Sequence, residues 1–327
     1  MSKIQLPMVG ADPEFGLLEK SGDETEFISA DGIIEATKRF GLDGCDSIAE
    51  LRPEPSTNPA QVVANIHRDM ITGYYSNAQI RHLYWKAGCS VRADNEGPSS
   101  IGGHIHLGMN KIATASRVGN KSDYFASLIP YLDTYLGQIG RLLENTSEAR
   151  DRNDLDYGYL GDYRMNGHGV EYRTLGSWIT SPRVAEGVLS LAQTVAYQHI
   201  GEYIKYGRDW VENKTAKLAP YVGFEFSDYE GHVQNQDEYS VAIGKHRKKF
   251  PALREEVRNF QLYKRYEPPI EFLFTLIEKR KTWFPGKDVD VKAAWGISNE
   301  SLRRHMVRPQ KILPEIRYED IWKRAEK

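Results

Sequence analysis

Residues 100–108 read Ser100-Ile101-Gly102-Gly103-His104-Ile105-His106-Leu107-Gly108. Glycines bracket a short alternation of imidazole and aliphatic side chains. Successive side chains of a strand point to opposite faces, so residues two apart share a face. The spacing predicts a strand over Gly102–Gly108 that offers His104 and His106 on one side and gives Ile105 and Leu107 to a core. Two solvent-facing histidines satisfy the same pattern, and this stretch alone does not choose. Imidazole suits transition metals and can also join a carboxylate-rich Mg2+ or Mn2+ site.

The same spacing recurs on both sides of this strand. Upstream, Asp12-Pro13-Glu14-Phe15 puts two carboxylates on one face. Like charges so close repel unless a cation bridges them. The plain alternative is an acidic edge strand, where Pro13 can sit without its N–H. Next comes Asp43-Gly44-Cys45-Asp46, followed by Glu50-Leu51-Arg52, in which Glu50 and Arg52 share a face; a surface ion pair is the ordinary reading. Downstream lie Arg150 and Arg152, the stretch Tyr157-Gly158-Tyr159-Leu160-Gly161-Asp162-Tyr163-Arg164, and then Gly169-Val170-Glu171-Tyr172-Arg173-Thr174. Arginine among glycines and tyrosines suits phosphate, because guanidinium meets its oxygens two at a time. Surface salt bridges are the commoner fate of such residues singly.

Around these motifs the chain reads as a soluble globular protein with a sizeable core: 327 residues, 40% hydrophobic and 27% charged. A net charge of −2 leaves no basic footprint for nucleic acid. No apolar run nears the roughly 20 residues needed to cross a bilayer, and MSKIQLPMVG lacks the apolar core and cleavage site of a signal peptide. Cys45 and Cys89 make neither a Cys-x-x-Cys pair nor a disulfide framework. Together these features predict a cytoplasmic protein.

Strands are expected over Lys3–Leu18 and Thr25–Ser29 with a turn between, then over Asp46–Arg52 and Gly88–Asp94. Helical periodicity marks Pro59–Gly73 and Ser122–Glu144, the latter kinked or broken at Pro130. Ser181-Pro182 opens a helix to about Trp210. Two or three helices fall between Asp237 and Lys281, and a short amphipathic one over Pro314–Lys327. The basic run Lys245-His246-Arg247-Lys248-Lys249 reads best as a solvated helix end. Chemistry is thus concentrated before residue 180. This predicts a catalytic core over 1–215 and a mainly helical C-terminal extension, a substrate lid or support, over 216–327.

No motif above is decisive singly. Their order is more specific: acid-x-acid, acid, His-x-His, arginines, Glu-x-Arg. That order resembles the glutamine synthetase and glutamate–cysteine ligase superfamily of carboxylate–amine ligases. Residues 8–185 are more closely similar to the phage-type amidoligases, the type 2 COOH.NH2 ligases, through GADPEFGL, ELRPEP, GGHIHLG, YGYLGDYR and GVEYRTLGSW. One departure from the glutamine synthetase pattern is Asp12, which stands where a glutamate is usual; the shorter carboxylate can still bind Mg2+.

The resemblance implies an α+β fold, with a glutamine synthetase-like curved antiparallel sheet lined by the active site and helices packed on its outer face. It implies an ATP-dependent ligase that forms an amide through an acyl phosphate with Mg2+, Mn2+ being possible. Its substrates would be small-molecule or peptide carboxylates and amines, with no nucleic acid or membrane partner. Glu14 and Glu50 would hold one metal; Asp12, His104 and Glu171 another. His106 would contact ATP phosphate or metal-bound water. Arg164 and Arg173 would stabilise the transferring phosphoryl group, and Arg150 or Arg152 would assist or hold the acid substrate's carboxylate. Asp43 or Asp46 would take the proton of the amine. Trp178, Tyr159 and Tyr163 are candidates to stack on adenine, although core packing is the better explanation of each. Three alternatives share these residues: a guanidino kinase-like phosphotransferase, a metal-dependent hydrolase, and a non-catalytic binding protein.

Overall fold

A computed structural model describes residues 5–21, 24–44, 47–92, 97–108, 121–216, 236–283 and 290–297. Its organising element is the strand β1, Met8–Ser21. Val9, Ala11, Phe15 and Leu17 of that strand are buried among apolar side chains. Gly10, Asp12 and Glu14 occupy the alternate positions and line a cleft.

β1 is long enough to carry two sets of neighbours. Its first half pairs antiparallel with β8, Gly103–Gly108. The register sets Asp12 across from His104 and Gly10 across from His106. The far side of β8 pairs with β10, Gly169–Tyr172, where Glu171 lies opposite His106, and β10 pairs with β9, Tyr163–Asn166. On its other side β1 meets β4, Ala49–Leu51, and Glu14 lies opposite Glu50; β3, Phe40–Leu42, follows outside β4. The second half of β1 pairs with β2, Glu24–Ile28, and β5, Tyr84–Lys86. These eight strands form one antiparallel sheet, and β6, Ser90–Arg92, pairs with β7, Pro98–Ser100, in a separate ribbon.

Pro13 therefore lies within the sheet and not in an edge strand. The ladder to β4 covers Glu14 and Phe15 and ends there, beside the residue that has no N–H to donate.

Helices cover the apolar face of the sheet. α1, Pro59–Ser76, begins at Asn58, whose side chain caps the N–H of Ala60. α2, Lys121–Leu132, continues through a π turn at Asp133–Gly137 into α3, Gln138–Leu143. Of the kink or break expected at Pro130, the break does not occur. One wide turn follows the proline, and the Pro130 carbonyl accepts from Thr134 Oγ1 at 2.7 Å. α4 spans Thr146–Asp154, and α5, Pro182–Tyr206, packs on β1, β8 and α1. α6 is Arg208–Ala216, α7 Gln236–Arg258, α8 Glu267–Glu278 and α9 Val291–Ala294. The tail expected to be helical, Pro314–Lys327, lies outside the described residues.

The helices after residue 236 share the core of the sheet. Phe250, Leu253, Ile270, Phe274, Trp283 and Trp295 are buried in the same apolar cluster as Ile105 and Val170. Polar ties reinforce it. Tyr266 Oη donates to Gln193 Oε1 at 2.6 Å, and Trp295 Nε1 donates to the Ile179 carbonyl at 2.7 Å. On α7, His246 turns inward while Lys245, Arg247 and Lys248 are exposed. Among the described residues, no helix is long and apolar enough to cross a membrane.

Candidate active site

The register assembles the site. Residues opposite one another in adjacent antiparallel strands share a face. The pairs Glu14 with Glu50, Asp12 with His104, and His106 with Glu171 and then Arg164 thus form one continuous polar surface. It floors a cleft of about 1030 Å³. Asp43, Arg52, Tyr157, His168 and Arg173 also line that cleft. Of the expected site residues, Asp12, Glu14, Asp43, Glu50, His104, His106, Arg164, Glu171 and Arg173 all meet here. Asp46 lies outside the described residues.

Geometry within the cluster is tight. His106 Nε2 lies 2.9 Å from Asp12 Oδ1. His104 Nδ1 is 3.5 Å from Asp12 Oδ1 and 3.8 Å from Glu171 Oε1, and its Nε2 is 3.9 Å from Glu14 Oε1. Asp12, His106 and Glu171 each offer a ligand atom within 4.8 Å of the others. Arg164 grips Glu171 with both arms at 2.8–3.0 Å, and Arg173 Nε approaches the same carboxylate at 3.5 Å. Glu14 Oε2 accepts the Gly102 N–H at 2.5 Å, and Glu50 Oε2 accepts from Arg52 at 2.5 Å.

Two carboxylates directly opposite across a ladder destabilise it by a few tenths of a kcal/mol or more. Burial adds to that cost at Glu14 and Glu50. Burial pushes the Glu14 carboxyl above its ordinary range, against the pull of His104 and the Gly102 N–H. Burial raises Glu50 to about 7, opposed by its bond from Arg52 and reinforced by the charges of Asp12 and Glu14. Burial also works against ionisation of Asp12, but hydrogen bonds and charge from His104 and His106 prevail and hold it well below the usual carboxylate range. His104 is pushed down by burial and up, more strongly, by Asp12 and Glu14, so its charged form is favoured. An acid pair that is short of positive charge beside imidazole and carboxylate donors is a donor set suited to a hard divalent cation.

Two expected arginines stand apart. Arg152 was expected at ATP but is 1% exposed, with its guanidinium turned to the backbone. It donates to the carbonyls of Thr174 at 2.7 Å and Arg173 at 2.9 Å. Gly158, at φ +72°, makes room for it, since a Cβ there would fall 1.9 Å from Arg152 Nη1. Arg152 therefore shapes the strand end that carries Arg173. Arg150 is exposed on α4 and is not among the residues that line the cleft. Trp178 is fully buried and donates to the Gly103 carbonyl at 2.8 Å, while Tyr159 Oη donates to Asn153 O at 2.5 Å; neither lines the cleft.

Tyr157 and His168 belong to the site, yet no spacing points to them. Tyr157 Oη accepts from Arg173 Nη2 at 2.6 Å and lies 2.7 Å from His104 Nε2. Two guanidiniums approach its ring, Arg152 at 4.8 Å and Arg173 at 4.6 Å from the centroid. His168, in the β9–β10 turn, has its Nε2 3.0 Å from His106 Nδ1. The only sequence signal was a tyrosine among glycines and one more histidine in a Gly-His-Gly turn.

Such a cleft suits an enzyme that brings cations and oxyanions together. Its kinship is narrower: the chain belongs to the phage phiEco32-like COOH.NH2 ligase-type 2 family, whose match covers residues 9–297. That family is named for ligases of a carboxyl and an amine. No curated protein matches its sequence. Among solved structures, it aligns with a bifunctional glutathione synthetase from Pasteurella multocida at 12% identity and a TM-score of 0.37, over 94% of this chain. The alignment takes in 49% of that enzyme, so the chain spans about half its length.

Proposed function

We propose that the cleft binds ATP with Mg2+ and joins a carboxylate to an amine through an acyl phosphate, on a glutamine synthetase-like sheet. The observation that carries this reading is the single face shared by Glu14, Glu50, Asp12, His104 and Glu171, next to Arg164 and Arg173. Condensing a carboxylate with an amine in water is uphill, so the carboxylate needs activation. Phosphoryl transfer asks the protein mainly for positioning and charge stabilisation.

Mg2+, with Mn2+ as a substitute, would neutralise the phosphate oxygens and align them. Glu14 and Glu50 would hold one ion, and Asp12, His104 and Glu171 another. Arg164 and Arg173 sit where they can turn from Glu171 to the transferring group. Tyr157 Oη bridges Arg173 and His104. Asp43, on the cleft wall by Glu50, accepts the proton that the amine must lose. The substrates are small-molecule or peptide acids and amines. Residues 236–297 are read as support, because among the described residues none after Arg173 lines the cleft.

The test is to follow ATP consumption with Mg2+ across a panel of amino acids and peptides, with Glu14→Gln and Glu171→Gln beside the parent. The expected result is amide, ADP and phosphate in equal amounts, lost in both variants. Full activity in both variants refutes the metal assignment. A stable phosphorylated product in place of an amide turns the reading to a phosphotransferase, and ATP-independent turnover turns it to a hydrolase.

A further inference from the structure

His106 has two ring nitrogens, and what it can bind depends on which carries the proton. Nε2 faces Asp12 Oδ1 at 2.9 Å. Nδ1 faces two groups of the β9–β10 turn: Asn166 Nδ2 at 3.3 Å and His168 Nε2 at 3.0 Å. The orientation of an amide has to be assigned from its hydrogen bonds. For Asn166 the backbone decides it. Asn166 Oδ1 accepts the N–H of Gly169 at 3.0 Å and of His168 at 3.3 Å, so the oxygen is held by the turn and the NH2 is left to face His106. An amide NH2 only donates. His106 Nδ1 must then accept, and Nε2 carries the hydrogen toward Asp12.

We infer that Asn166, a residue of the β9–β10 hairpin, is a positioning residue that fixes the Nε2–H tautomer of His106, with His168 as second donor. An imidazole held in this form presents an N–H and no lone pair to the cleft. Close spacing to Asp12 and Glu171 would otherwise allow His106 to ligate a cation. The hairpin instead reserves it as a donor, aimed in this structure at Asp12 Oδ1. A phosphate oxygen as a further acceptor rests on the Mg–ATP reading; the tautomer does not.

The two can be tested separately. Nitrogen-15 NMR of histidine rings in the metal-free protein should show His106 with the proton on Nε2. Asn166→Asp exchanges the donor for an acceptor and should move it to Nδ1; His168→Ala, which leaves Asn166 in place, should not. An Nδ1–H signal in the parent, or no movement in Asn166→Asp, overturns the inference. Failure of ATP to bind, with the tautomer as stated, would instead overturn the nucleotide reading.

Discussion

The two faces of the central sheet are built from alternate residues of the same strands, and they are governed by different constraints. On one face Val9, Ala11, Phe15, Ile105, Leu107 and Val170 are at most 5% exposed and lie in the apolar core. On the other, Asp12, Glu14, His104, His106 and Glu171 crowd a cleft with carboxylates in excess. The first face gains stability by excluding water. The second sacrifices some, since Glu14 and Glu50 face each other and burial raises both. A one-residue shift in strand register would exchange the two faces, so the core enforces the geometry of the site.

The sharpest way to break this contrast is to neutralise the polar face. Glu14→Gln or Glu171→Gln should reduce ligation about a thousandfold, roughly 4 kcal/mol of transition-state stabilisation. Glu14→Gln should leave the metal-free melting temperature unchanged or raise it, because a crowded carboxylate is removed. A drop in melting temperature that tracks the lost activity would mean the acid is structural.

The mirror experiment truncates the other face. Ile105→Ala should cost about 3 kcal/mol in urea unfolding, with ATP affinity retained by the folded fraction. Loss of affinity at unchanged stability would show that the two faces are not separable.

Arg152 lies at the boundary between them. Arg152→Met leaves two carbonyls without their donor and should destabilise by about 1–3 kcal/mol, with a smaller loss of activity through Arg173. Arg164→Ala should do the reverse, because Arg164 is exposed and its loss frees Glu171. Calorimetry of unfolding beside a turnover assay separates the two patterns.

The polar face should also respond to pH. Glu50 titrates at about 7 in the fold against an ordinary value of 4.5. Its folded value is raised, so its contribution to metal-free stability is fully present below about pH 4.5 and is lost as pH rises through about 7. Mg2+ held by Glu50, as proposed, would have to displace that proton. The Mg2+-induced rise in melting temperature should therefore be larger near pH 8 than near pH 6; an equal or opposite response contradicts Glu50 as a ligand. The smallest effect is expected at Arg150, where Arg150→Ala should change stability by less than about 0.5 kcal/mol and leave turnover unaltered.

Much of this contrast was legible in the sequence, for a physical reason. A strand's period of two is a local rule, so Asp12/Glu14, His104/His106 and Glu171/Arg173 each declare a shared face within three residues. The strand register that joins them is not local, but the common apolar alternation fixes it. What escaped reading depends on contacts between distant segments. Arg152 looks like any arginine near a phosphate site until the carbonyls of Arg173 and Thr174 arrive. Tyr157 gains its role by reaching His104, 53 residues away, and His168 by reaching His106, 62 away. Pro130 carried a break signal that the buried helix absorbed as a π turn. The family kinship rests on residues 9–297, which include helices in which no sequence motif stood out.

We propose that the charged face of the sheet binds ATP through divalent cations held by its acids. Isothermal titration of ATP into the protein, with and without Mg2+, tests it directly when Glu14→Gln and Glu50→Gln are run beside the parent. Binding by the parent should require Mg2+ and weaken about 10–100-fold in each variant. Equal affinity in parent and variants, or binding indifferent to Mg2+, would contradict it.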